Sequence, residues 1–202
     1  MNATATVSNS SLNNQPGVDA RTQSVATPWD IDPGHTSAAF KVRHLMVARV
    51  RGELGPVSGT VVINEQDLSR SSVDVTIDAT GINSREPKRD EHLRSADFLD
   101  VANHPTIRFR STAVRAGKGG HLEVTGDLTI RGISRAVTLD VDPLPAAVVD
   151  PWGNAKRGAT ARTSFNRKDF GLTWNLALEA GGVVVGEQVD VELEVELLGR
   201  KA

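Results

Sequence analysis

Alternation of apolar and polar residues, repeated along most of the chain, is the feature that most limits what it can fold into. The cleanest run is 71–80, where Val73, Val75, Ile77 and Ala79 alternate with Ser72, Asp74, Thr76, Asp78 and Thr80. Successive side chains on a strand point to opposite faces, so a period of two gives one dry and one wet face. The pattern recurs at 36–45, with Ala38, Phe40, Val42 and His44 on one face and Ser37, Lys41 and Arg43 on the other. It recurs with Val57, Gly59, Val61 and Ile63, with Ile107 and Phe109, with Leu122, Val124, Leu128 and Ile130, and with Val137, Leu139 and Val141. Residues 159–165 are a weaker strand, and Val189, Val191, Leu193, Val195 and Leu197 end the series. About eight segments of this kind predict strands. Their dry faces must meet, which leaves a sandwich or a closed antiparallel barrel. Turn signals such as Pro33-Gly34, Arg131-Gly132 and Gly181-Gly182 fall between them, and 142–158, with three prolines, reads as a surface loop.

One stretch breaks the pattern. In 82–100, Ser84 or Glu86 can start a helix and Pro87 suits its first turn, where the missing N–H is not needed. Leu93, Ala96 and Leu99 fall at three-residue spacing, giving a narrow apolar face, while Lys88, Arg89, Asp90, Glu91 and Arg94 make the rest polar. A short helical crossover, or lid, over the end of an all-β body is expected.

Residues 1–27 are rich in Asn, Ser, Thr and Ala, without periodicity or a large apolar cluster, so a disordered tail is expected there and one β-domain over 28–202. The net charge of −2 favours neither nucleic acid nor an anionic membrane surface, and no run approaches the ~18 apolar residues of a membrane span. Cysteine is absent, which removes disulfides, thiolate metal sites and cysteine nucleophiles. The five histidines show no metal-ligand spacing, and phosphate-loop, dinucleotide and nucleophile-elbow motifs are missing. Neither a metal nor a cofactor is expected.

The dry faces carry mostly Val, Ala, Leu, Ile and Gly; aromatics are 4% of the chain and tyrosine is absent. An eight-stranded barrel is at the width where side chains either fill it or leave room for one small ligand. Strands of about ten residues, tilted near 40°, make a barrel roughly 25 Å tall. That length suits a long thin apolar ligand, which gains ~0.8 kcal/mol per buried CH₂ before ordering costs. A barrel packed solid by its own side chains is the alternative that patterning leaves open.

Several segments resemble the YceI-like family of lipocalin-like, polyisoprenoid-binding barrels. They are Trp29-Asp30-Ile31-Asp32, His35-Thr36, Phe40-Lys41-Val42-Arg43-His44, the run from Arg89 to Asp100, and His104-Pro105-Thr106-Ile107-Arg108-Phe109. Further matches are Val124-Thr125-Gly126-Asp127-Leu128-Thr129-Ile130-Arg131-Gly132 and Asn166-Arg167-Lys168-Asp169-Phe170-Gly171-Leu172, so the likeness spans about 29–198. The resemblance implies an extended eight-stranded antiparallel barrel with an elongated apolar interior, and a lipid carrier that is not an enzyme. The lipid is expected to be a polyisoprenoid such as a quinone tail or polyprenyl phosphate, with a fatty acid or fatty amide as the alternative. Alternation then assigns the lining to Ala38, Phe40, Val42, Val73, Val75, Ile77, Phe109, Leu128, Val191, Leu193 and Val195, with Leu93 and Phe98 shaping one end. Many relatives are exported; residues 1–27 have no basic start followed by an apolar core, so a cytoplasmic location is expected. Stable membrane insertion is not expected, and a homodimer is left open.

His44 sits on the apolar face of its strand, where a polar ring needs a partner. It is a structural histidine, a contact for a ligand head group, or, in a rival enzymatic reading, a base beside a carboxylate. Asp90 and His92 are two apart on a helix and do not face each other. Arg89 and Asp90 are expected to tie the helix to the barrel, and Arg167-Lys168-Asp169 to form a charged turn paired with it. Glu192, Glu194 and Glu196 read as a solvated face blunting an edge, and Trp152 and Trp174 as cover for the barrel ends.

Overall fold

The alternating segments pair into one antiparallel sheet that closes on itself. The computed structural model describes residues 26–179 and 181–200. Its elements in order are β1 (Ala26–Ile31), β2 (Ser37–His44), β3 (Ala48–Glu53), β4 (Val57–Asn64), β5 (Ser72–Asp78) and α1 (Pro87–Arg94). Then come β6 (Thr106–Ala116), β7 (Leu122–Ile130), β8 (Ile133–Val141), β9 (Val148–Val149), β10 (Ala155–Asn166) and β11 (Val185–Gly199). Both β1 and β2 run antiparallel to β11, with Trp29 opposite Gly199 and Phe40 opposite Val191. They form one wall strand kinked at 32–36, where Asp32 Oδ1 accepts the Gly34 N–H at 3.0 Å. In the same way β3 pairs with β2, and β4 with β1. The ladder continues through β5, β6, β7, β8 and β10, and the β10–β11 pairing shuts the ring. Counting β1 with β2, β3 with β4, and the short β9 with β8, which it follows along β10, the wall has eight strands, as expected.

Three expectations shift. The tail predicted for 1–27 lies outside the described residues up to position 25; Ala26 and Thr27 already belong to β1, opposite Asn64 and Ile63. β3 was not foreseen, and the loop predicted for 142–158 contains β9 and the start of β10. β11 is not an edge, because it pairs with both β10 and β2. Its outward acids meet cations instead: Glu192 lies 3.2 Å from Lys41, and Glu196 lies 2.6 Å from Lys156.

Glu86 caps α1, accepting the backbone N–H groups of Lys88 and Arg89, and Pro87 takes the first helical position. The helix stops at Arg94, so Leu93, Ala96 and Leu99 are not one helical face. Ala96 is exposed, Leu99 is buried beyond the helix, and the buried helical residue is Asp90. Asp90 accepts both the backbone N–H and the hydroxyl of Ser84. Arg89 reaches the same serine, its Nε 2.7 Å from Ser84 Oγ and its Nη2 2.8 Å from the Ser84 carbonyl. The tie runs through one shared serine, not through a direct ion pair. Arg94 adds hydrogen bonds to the carbonyls of Thr80 and Ile82, so the crossover is pinned at both ends of its turn.

Candidate functional site

Strand by strand, the inward side chains divide at one level. On β5, Val75 and Ile77 line a cavity and Val73 does not. Ile107 and Phe109 of β6 line it, as do Leu128 and Ile130 of β7 and Val137 and Leu139 of β8. The next inward residues, Val114, Val124 and Val141, are buried in solid packing instead. Phe40, Val42 and His44 of β2 line it and Ala38 does not; Val191 and Leu193 of β11 line it and Val195 does not. One half of the barrel is thus filled by Trp29, Ile31, Ala38, Ile63, Leu197 and their neighbours. The other half encloses a largely apolar cavity of about 470 Å³. Of the fourteen residues that alternation and resemblance assigned to the lining, only Ala38, Val73 and Val195 fall in the filled half.

Two close contacts keep the hollow half open. A Cβ on Gly52 would come within 2.7 Å of the Phe40 ring, and one on Gly126 within 2.6 Å of the Phe109 ring. Each ring therefore passes close to a strip of bare backbone. With a larger residue there, both the ring and the facing backbone, the Asn83 carbonyl at Gly52 and the Arg110 carbonyl at Gly126, would have to give way.

The open end is roofed by the crossover. Glu86, Lys88, Arg89, His92, Leu93, Phe98 and Leu99 all reach the cavity. His92 packs edge-on to Phe98 and to Trp174, with ring centroids 5.0 and 4.6 Å away, and its Nε2 lies 2.9 Å from Asp97. Trp174 covers this end as expected, but Trp152 is 80% exposed and covers nothing.

Arg167 is the main departure from expectation. It is not a solvated turn residue: it is 2% exposed, reaches the cavity, and stands 5.9 Å from the centre of the Phe98 ring. Its guanidinium donates to the carbonyls of Gly186, Leu172 and Val185, and burial pulls its pKa below the usual arginine value. Among the described residues the predicted ion pair to the helix is not formed; Lys168, the next residue, pairs with Glu187. With Arg43, Lys88 and Arg89, Arg167 makes the polar end of the cavity cationic against the single carboxylate of Glu86.

The acid–base candidates that the sequence offered are not paired with one another at this end. His44 lines the cavity, but among the described residues its ring has no hydrogen-bond partner, so it is not a tied-down structural histidine and no carboxylate orients it. Asp90 and His92 face different partners, Ser84 and Asp97. At the outer surface of the filled half, Asp32, His35 and Glu196 converge, a meeting that sequence spacing gave no sign of. The Lys156 ammonium lies 2.9 Å from Asp32 and 2.6 Å from Glu196, and so supplies the cation there.

Trp174 and Arg167 could have been suspected only as an isolated tryptophan and a charged turn. Their approach to the mouth depends on how 167–179 and 181–184 fold back over the barrel end.

The barrel closely matches solved folds. BcnA of Burkholderia cenocepacia superposes with a TM-score of 0.71 at 17% identity, over 82% of this chain and 98% of that one. A domain from Saccharophagus degradans, described as polyisoprenoid binding and implicated in plant cell wall breakdown, superposes with a TM-score of 0.61 at 13% identity, over 85% and 98%. In sequence, the protein YceI of Escherichia coli O157:H7 is 34% identical over 179 residues, 88% of this chain and 90% of that protein. A UPF0312 protein of Vibrio parahaemolyticus is 32% identical over 172 residues, 85% of each. The model of the YceI-like domain matches residues 29–197, and the chain belongs to that family.

Proposed function

We propose that the hollow half binds one long apolar chain, a polyisoprenoid or a closely similar lipid, with its polar head at the cationic mouth. The observation that carries this reading is the cavity itself: an apolar slot of about 470 Å³, closed below by packed side chains and rimmed above by Arg43, Lys88, Arg89 and Arg167. Its size is within the usual range of small-molecule sites. Each five-carbon branched unit buried there would gain about 3–4 kcal/mol before ordering costs, so a few units suffice for tight binding. The description of the Saccharophagus domain as polyisoprenoid binding supports the same ligand class.

The rim discriminates among heads. Four cations facing one carboxylate suit an anionic group, and a buried guanidinium is most effective where water is excluded. A polyprenyl phosphate is therefore the preferred ligand over a neutral quinone, and the protein acts as a carrier without catalysis.

The test is native mass spectrometry of protein purified from its own host, followed by uptake of added polyprenyl phosphate, polyprenol, quinone and fatty acid. Co-purified lipid and preferential uptake of the phosphate support the reading. Val75→Trp should fill the slot and cut uptake about tenfold while the fold survives. No bound lipid and no uptake of any of the four would overturn it.

A further inference from the structure

The rim of the cavity has a feature that ligand binding does not use. The turn joining β2 to β3 carries Leu45, Met46 and Val47, which are 38%, 49% and 84% exposed. None of the three lines the cavity, yet His44 before them and Val50 after them do. The turn is also costly. Leu45 and Met46 both have positive φ, 50° and 60°, the left-handed geometry that a tight hairpin normally gives to Asn-Gly. Two large apolar side chains in left-handed backbone, both partly exposed, are costly for the isolated protein in solution.

The apolar area extends sideways. The Leu45 N–H donates to the Val184 carbonyl at 2.8 Å, and the Val184 N–H donates to the Leu176 carbonyl at 3.0 Å. Leu176 is 57% exposed, so the tip and the neighbouring hairpin present one apolar ledge beside the opening.

Behind the ledge stand arginines. Arg43 of β2 is directly opposite Arg49 of β3, and Lys41 is opposite Arg51. Like charges opposed across a strand pair are unfavourable unless something else meets them. Lys41 has Glu192, but among the described residues Arg49 and Arg51 have no ion-pair partner, and both are exposed. The adjoining hairpin carries one acid, Glu179, against these three arginines.

We infer that the barrel docks mouth-first on an anionic lipid bilayer, with Leu45, Met46, Val47 and Leu176 entering the interface and Arg43, Arg49 and Arg51 meeting lipid phosphates. Apolar side chains that enter the headgroup boundary, backed by cations, are what such a surface recognises. The charge pattern and the continuity with the opening favour this occupant over an apolar protein partner. The benefit of docking rests on the carrier reading, since a lipid could then pass between bilayer and slot without crossing water. The docking itself is measured independently of that reading.

Flotation of the full chain with vesicles tests it. The protein should float with phosphatidylcholine vesicles that contain phosphatidylglycerol, less with phosphatidylcholine alone, and less at high salt. The double variant Leu45→Asn with Met46→Gly should lose about tenfold in partition. Because Asn-Gly suits the turn, its melting temperature should stay level or rise, which separates lost docking from lost folding. Its uptake of detergent-dispersed polyprenyl phosphate should be unchanged. Arg49→Glu with Arg51→Glu should remove the preference for anionic vesicles. Absence of flotation by the native protein, or undiminished flotation of the Asn-Gly variant, would overturn the proposal. Flotation that responds to these variants in a protein that takes up no lipid would uphold docking and remove the carrier reading alone.

Discussion

Leu193 and Leu197 sit four residues apart on the same inward face of β11, in surroundings that look alike in sequence. Leu197 is 1% exposed and locked among core side chains, whereas Leu193 borders the cavity. The difference comes from what the ends of the strands bring with them. At the filled end Trp29 enters from β1, and Leu68 and Leu144 fold in from loops to pack against the core. Arg157, which is buried there, donates to the Pro145 carbonyl at 2.7 Å and pairs with Glu65. At the hollow end the two bulky lining residues of β2 and β6, Phe40 and Phe109, stand close against Gly52 and Gly126. One barrel wall therefore supports both a core and a container, and what separates them is the loop residues that fold in at one end and the glycines set into the strands at the other.

The sharpest break of this contrast is a matched pair of truncations. Leu197→Ala opens a void in close-packed surroundings and should cost about 3–5 kcal/mol. Leu193→Ala enlarges a space that already exists, so only the transfer loss remains, about 2 kcal/mol or less. Urea unfolding of both variants measures the gap. Equal costs would show that the upper half closes up in solution and is no container.

The roof of the hollow half should respond differently from its wall. Asp90→Ala leaves the buried Ser84 N–H and hydroxyl without their acceptor, at a cost of about 2 kcal/mol. The loss should be local. Hydrogen exchange should rise across 82–100 and stay unchanged in β7 and β8, and bound lipid should exchange faster. Uniform loss of protection would mean that the crossover is part of the global core and not a roof.

Gly126→Ala probes the wall itself. Its Cβ would stand 2.6 Å from the Phe109 ring and 2.4 Å from the Arg110 carbonyl, so the ring must turn inward and the strand must give slightly. About 1–2 kcal/mol of stability should be lost, together with part of the lipid capacity. Preserved uptake would show that the ring has another place to go.

The limits of sequence reading follow from the same contrast. Period-two alternation located most of the wall and most of the lining, because Val75, Ile77, Val191 and Leu193 have no other side to face. Alternation gives a face but not a height, so Ala38, Val73 and Val195, inward like the rest, could not be told from cavity residues. β3 escaped notice because Ala48, Arg49, Val50, Arg51 and Gly52 offer only one large apolar side chain. The helix start was legible in Glu86 and Pro87, which act through local backbone chemistry. Its buried face was not, because Asp90 is held inside by a serine six residues away and not by an apolar stripe. Arg167 read as a solvent-facing charge because the carbonyls that hold it come from 172 and 185–186, on the far side of a loop.

The smallest effect should come from outside the filled end. The Lys156 ammonium, the His35 ring and the Gly34 N–H hold the Asp32 carboxyl down to about 2. An unfolded aspartate titrates near 4, so the folded state binds the proton more weakly than the unfolded one. The stabilisation from Asp32 is therefore complete above about pH 4 and is lost as pH falls from about 4 to about 2. Both partners are largely covered, but the pair is at the surface, so Asp32→Asn should lower the melting temperature by no more than about 2–4 °C at neutral pH. That difference should shrink across the same acid window, and lipid uptake should not change at any pH through this residue. A melting difference that persists at pH 2 would assign the role of Asp32 to the turn it makes with Gly34, and would leave its charge without one.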